Sequence, residues 1–162
     1  MNWQDAFLVQ AWSDYQIFQA MNESRYPVCH KLHYLQMATE KLAKGCLCEI
    51  TGNSPPQKTH FAFVRFLRYT KSHPLGKKRL GFAQKKQAYS AYVDSLIPTA
   101  YKIERLAPAG GGFSDVNPEY PWSRHDGNIS CPVEYDFPEF KRHELGRIKK
   151  LLTDLFWIIG FK

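Results

Sequence analysis

The chain has 162 residues, of which 44% are hydrophobic and 23% charged, and a formal net charge of +7. That balance excludes a disordered chain, and the length suits one domain with a core of its own. No window approaches the roughly 18 uncharged apolar residues of a transmembrane span, and Met1-Asn2-Trp3-Gln4-Asp5 lacks the basic start and apolar run of a signal peptide.

These features predict a soluble, basic, cytoplasmic protein with no membrane association. The cysteines are Cys29, Cys46, Cys48 and Cys131, with no Cys-x-x-Cys among them. They read as structural thiols, and Cys29 with His33 finds no third ligand at diagnostic spacing, so neither a metal nor a cofactor is expected.

Helical periodicity dominates the first two thirds of the chain. Phe7, Ala11, Tyr15 and Phe18 predict a helix over 2–22. Pro27 suits the opening turn of a second helix, because its missing N–H is not needed there. Leu32, Leu35, Thr39, Leu42 and Cys46 form that helix's buried stripe, and Gly52-Asn53-Ser54-Pro55-Pro56 ends it. Thr59 is placed to cap a third helix, with Ala62, Phe63, Phe66 and Leu67 inward, stopping before Pro74. A fourth, over about 83–107, carries Tyr89, Val93, Leu96, Ala100 and Ile103, with Pro98 expected to kink it.

Residues 108–137 hold prolines, three consecutive glycines and the rings of Phe113, Tyr120, Trp122, Tyr135 and Phe137. They read as an ordered loop, with a short strand at Cys131–Tyr135, serving either as a functional element or as a lid on the bundle. A last helix over 138–162 is expected to be capped by Asp136, with Glu139 completing a capping box. The fold class is therefore all-α: an up-down bundle of about five helices in one domain, with core helices in 1–107, the ordered loop 108–137 and the C-terminal helix.

The charge is uneven. Between Glu49 and Asp94 there is no acidic residue, while Lys58, Arg65, Arg68, Lys71, Lys77, Lys78, Arg79, Lys85 and Lys86 all fall there. Such a block predicts an electropositive face, and the interleaved Phe61, Phe66, Tyr69, Phe82 and Tyr89 suit single-stranded nucleic acid. Arg65, Arg68, Lys71, Lys77, Lys78 and Arg79 are the candidate nucleic-acid-binding residues. The competing readings are neutralisation by the acids of the loop, or a solvated face whose rings are core.

Residues Cys29–Leu47 resemble the signature helix of the HEPN superfamily, with Ala38, Glu40, Lys41, Lys44 and Leu47 matching its pattern. The resemblance implies a helical bundle, usually homodimeric, whose members bind RNA or nucleotides. Some are metal-independent ribonucleases of defence or toxin–antitoxin systems that use an Arg followed, four to six residues on, by a His.

In such a pair the imidazole moves a proton from the ribose 2′-OH and the guanidinium steadies the phosphate. The spacing occurs as Arg25-x-x-x-x-His30 and as Arg68-x-x-x-x-His73. Arg25 and His30 become the candidate catalytic pair, although they open the signature helix rather than follow it. Glu40 is either an ion-pair partner of Lys44 or a support for an active-site Arg. The alternative function is a non-catalytic dimeric module that binds a protein partner, with the aromatic loop as its surface.

Overall fold

The structure, a computed structural model, describes residues 1–22, 25–48, 60–72, 86–108 and 116–161. These residues contain five α-helices: α1 (Trp3–Asn22), α2 (Val28–Cys48), α3 (Phe63–Ser72), α4 (Lys86–Glu104) and α5 (Arg142–Ile159). Two two-residue strands, β1 (Trp122–Ser123) and β2 (Ile129–Ser130), pair antiparallel between α4 and α5. The protein is an all-α helical bundle, as the periodicity predicts. Thr59 and residues 83–85 lie outside the described residues.

Three pairs of consecutive helices run antiparallel. Asp14 of α1 receives Lys41 of α2, while Leu8 meets Gly45, so these two helices run antiparallel. Lys71–Asp94 and Arg68–Tyr101 give α3 and α4 the same relation, and Lys102–Glu144 with Arg147–Ser95 does so for α4 and α5. One core runs through all five helices. Tyr15, Leu35, Leu42, Phe63, Leu67, Tyr89, Leu96, Ile103, Ile148, Leu152 and Phe156 are among its fully buried members.

At its centre the Tyr15 and Phe156 rings stack with centroids 5.1 Å apart, and Trp12 tilts against Phe156 at 5.1 Å. The Tyr15 hydroxyl, deep in this cluster, donates to the Lys149 carbonyl at 3.1 Å and lies 2.6 Å from Thr153 Oγ1. These partners satisfy a polar group that would otherwise be costly to bury.

The α1–α2 contact depends on one missing side chain. A Cβ at Gly45 would lie 2.8 Å from Leu8 Cγ and Cδ2, and Leu8 is itself buried. Gly146, on the exposed side of α5, has nothing within 4 Å of the same position. Alanine gains about 1 kcal/mol of helix propensity at either site, but overpacking at Gly45 costs about 1–3 kcal/mol. Urea denaturation is therefore expected to find Gly45→Ala destabilised and Gly146→Ala stabilised by up to about 1 kcal/mol.

Two local expectations are corrected. The last helix begins at Arg142, not at 138. Lys141 is its N-cap, and the Glu144 carboxylate accepts from the Lys141 backbone N–H at 3.3 Å, so neither Asp136 nor Glu139 caps it. Phe137 explains the later start. Its φ of 49° is left-handed, which turns the chain before the helix can begin. Cys131–Tyr135 is not a strand, because Pro132 has no N–H to give a ladder and opens a 3₁₀ turn over Pro132–Glu134.

The loop over 116–141 is packed onto the body. Phe137 and Trp122 are buried, and Phe137 joins Cys29, Leu32 and Leu106 in a second small core that Tyr135 partly covers. Tyr135 stands edge-on to both rings, 5.2 Å from Trp122 and 5.0 Å from Phe137. Of the rings that could have formed an outward aromatic surface, Tyr120 alone among Tyr120, Trp122 and Tyr135 is exposed.

Candidate nucleic-acid interface

Helix α3 is short, and its sequence divides cleanly. Phe63, Val64, Phe66, Leu67 and Thr70 are buried, which turns Arg65, Arg68 and Ser72 to solvent. Its first turn leaves backbone N–H groups without partners inside the helix. Glu104, at the end of α4, meets this need from outside: its Oε1 accepts from the Val64 N–H at 2.8 Å. Burial pushes the Glu104 carboxyl above its ordinary range, and nearby Glu40 adds to the rise; hydrogen bonds from the Val64 and Phe63 backbone and the charge of Arg68 oppose it.

The capping contact aligns the exposed sides of α3 and α4. Arg68 Nη2 donates to the Tyr101 hydroxyl at 2.8 Å, and its guanidinium lies 5.6 Å from the centre of that ring. Arg105 follows Tyr101 by one turn and is exposed, as is Arg65. Neither Arg65 nor Arg105 forms an ion pair among the described residues. Beside Arg105 opens a cleft of about 550 Å³, lined by Phe61, Leu106, Val116, Glu139 and Phe140 among others.

Lys71 is different: Asp94 of α4 holds its ammonium at 2.7 and 2.8 Å, so it is already neutralised. The acid comes from α4 and not from the loop. Lys77, Lys78, Arg79 and His73 lie outside the described residues. Of the interleaved rings, Phe61 is exposed and Tyr69 half-buried, while Phe66 and Tyr89 are core; Phe82 is outside the described residues.

A polar network lies behind the same end of α3. Gln36, Glu40 and Lys44 follow one another at one-turn intervals on α2. Glu40 is only 8% exposed, yet both its oxygens are used. Oε1 accepts from Lys44 Nζ at 2.6 Å, and Oε2 from Gln36 Nε2 at 2.8 Å. His60 Nδ1 also lies 2.8 Å from Oε2. Burial alone would push the Glu40 carboxyl up, but the hydrogen bonds and charges of Lys44 and His60 outweigh it and hold the group below the ordinary carboxylate range. Glu40 is thus Lys44's ion-pair partner, as the one-turn spacing predicts, and it carries a histidine as well.

Arg25, just before α2, and His30, in its first turn, are both exposed, and among the described residues no side-chain hydrogen bond or ion pair joins them to the α3–α4 face. The geometry does not bring this pair to Glu40 or to the arginines. His33 is half-buried, edge-on to Tyr34 at 5.2 Å, with Nδ1 3.3 Å from Glu119 Oε1. Cys29 sits in the small core, and among the described residues no group of three or more His, Cys, Asp or Glu side chains could hold a metal. Arg142 and His143 are exposed, and Arg147 reaches Ser95 Oγ.

Sequence reasoning missed His60, Tyr101, Glu104 and Arg105. The Gln36–Glu40–Lys44 spacing was the only available signal, since it puts a polar ladder beside a buried stripe. No family model, curated protein or solved structure matches the chain. No helix among the described residues is long and apolar enough to cross a membrane.

Proposed function

We propose that the α3–α4 face binds single-stranded RNA, in keeping with an HEPN-like helical domain in a cytoplasmic setting. The observation that carries this reading is the Arg68–Tyr101 stack, flanked by Arg65 and Arg105. Its cations suit phosphates, and Tyr101 with Phe61 offers ring faces to bases, a combination that tolerates any sequence. Glu104, beneath the face, is buried and spent on the α3 backbone, Asp94 is paired with Lys71, and Glu139 lines the cleft beside Arg105. A nucleotide is the smallest ligand with the same chemistry, and the cleft beside Arg105 has room for one.

Gel retardation with labelled single-stranded RNA tests the reading. Arg65→Glu with Arg68→Glu is expected to weaken binding at least tenfold at low salt. Each lost phosphate contact on a single strand lowers the salt slope by about 0.7, so the double variant should lose about 1.4 from it. Retardation unchanged by these substitutions would sink the proposal.

A second reading is a homodimeric interaction module. It is favoured by Trp157, 69% exposed near the end of α5, and by the half-exposed Trp3 on α1. Large apolar side chains left in water mark association surfaces when they are contiguous. Sedimentation of the wild type and of Trp157→Ser is expected to show a dimer weakened in the variant; a monomer in both cases would exclude this reading.

A further inference from the structure

We propose that the cleft at the end of α4 binds a free aromatic α-amino acid, with its carboxylate on Arg105, its ammonium on Glu139 and its ring among Leu106, Val116 and Phe140. The inference does not rest on the RNA-binding reading above, with which the site shares only Arg105 and Phe61.

The charges of the cleft select the ligand. Lys102, Arg105 and Glu139 all line it. Lys102 is already committed: its ammonium donates to Glu144 Oε2 and to the Glu139 carbonyl, both at 2.9 Å. The second of these bonds also fixes the Glu139 backbone at the cleft. One cation and one anion are left. Arg105 and Glu139 are both exposed, and among the described residues neither forms an ion pair, with the other or with any third group. Two opposite charges that line one cleft without closing on each other suit a ligand that carries both. A nucleotide has room there, but its phosphate answers Arg105 and is repelled by Glu139. An α-amino acid answers both. Its carboxylate can take two parallel hydrogen bonds from a guanidinium, and its ammonium brings only donors, which a carboxylate can only accept.

The apolar lining selects the side chain. Leu106 is buried, and Val116 and Phe140 pack beside it on the small core of Cys29, Leu32 and Phe137. Phe61, just before α3, adds a ring that is 57% exposed. An aromatic side chain gains most from these neighbours, because it removes apolar surface from water and sets its edge or face against the Phe61 and Phe140 rings. The cleft volume of about 550 Å³ falls within the roughly 300–1,000 Å³ of small-molecule sites, and it admits an indole as readily as a phenyl ring.

The test is a ligand-observed NMR titration of the full chain with three probes: L-tryptophan, indole-3-propionate, which lacks the ammonium, and tryptamine, which lacks the carboxylate. Tryptophan is expected to bind saturably with a Kd below about 1 mM. Each analogue should bind about tenfold more weakly, the loss of one charged hydrogen bond. Arg105→Gln should weaken tryptophan and indole-3-propionate about tenfold and leave tryptamine unchanged. Glu139→Gln should weaken tryptophan and tryptamine by as much and leave indole-3-propionate unchanged. A residue that merely shaped the cleft would weaken all three probes alike.

Both substituted side chains are exposed, so the variants are expected to fold, and circular dichroism checks that they do. Absence of saturable tryptophan binding overturns the inference. Equal affinity for the three probes, or variants that weaken all of them alike, also overturns it. Alanine carries both charges without the ring, and alanine bound as tightly as tryptophan would remove the aromatic side chain from the assignment. Adenosine monophosphate bound where tryptophan is not overturns the inference and leaves the RNA-binding reading standing.

Discussion

Phe156→Ala is expected to destabilise the protein by about 3–5 kcal/mol, the range for a fully buried phenylalanine. The ring is stacked on Tyr15, tilted on Trp12 and edge-on to Phe161 at 6.0 Å, so no single neighbour can move in to fill the space. The damage extends to a hydrogen bond. Tyr15 holds its hydroxyl against Lys149 and Thr153 of the same helix, and a ring free to tilt would weaken that contact. At roughly 2–4 °C per kcal/mol for a chain of this size, the thermal midpoint should fall by about 10 °C. Trp157→Ala, one residue on and facing solvent, should stay within about 0.5 kcal/mol. Parallel urea titrations give both values, and equal effects at the two positions would contradict the packing described.

Glu40→Ala is expected to cost about 3–5 kcal/mol, because it strands Lys44 without a counter-charge in a site that water barely reaches. The loss should be recovered in part by pairing Glu40→Leu with Lys44→Met, which removes both charges and keeps the volume. The wild type should also show the carboxylate's signature in acid. Glu40's folded-state pKa lies below its unfolded value, so its contribution is complete above the ordinary glutamate range and fades as pH falls through the lower, folded value. Denaturation midpoints measured from neutral pH downward should therefore drop below about pH 4. They should drop less steeply in the double variant, and an equal slope in both would remove Glu40 as the cause.

The helices were legible because burial in a bundle leaves a periodic trace. Leu32, Leu35, Thr39 and Leu42 announce the inward side of α2, and all four are buried. The all-acid-free stretch likewise pointed to α3 as the cationic helix. What the sequence does not carry is which distant side chain answers which. Asp94 cancels Lys71, Glu104 caps α3 and Tyr101 supports Arg68, yet each of these α4 residues is more than 20 positions from its partner. His60 was passed over for a similar reason, since its significance comes entirely from a carboxylate on another helix. The misplaced start of α5 is local instead. Asp136 and Glu139 have the right spacing for a cap, but burial of Phe137 in a left-handed turn outweighed it.

The stack of Tyr15 on Phe156 joins the first helix to the last. On the ribosome, α1 and α2 emerge early and can pair at once, since only a few residues separate them. The Trp12–Tyr15 surface then waits, wet and sticky, until α5 has been synthesised. During that interval the nascent chain presents an aromatic stripe of the kind that aggregates or recruits chaperones. Synthesis speed through the segment between α4 and α5 therefore bears on yield, even though in the finished molecule Tyr15 is buried and Trp12 partly so.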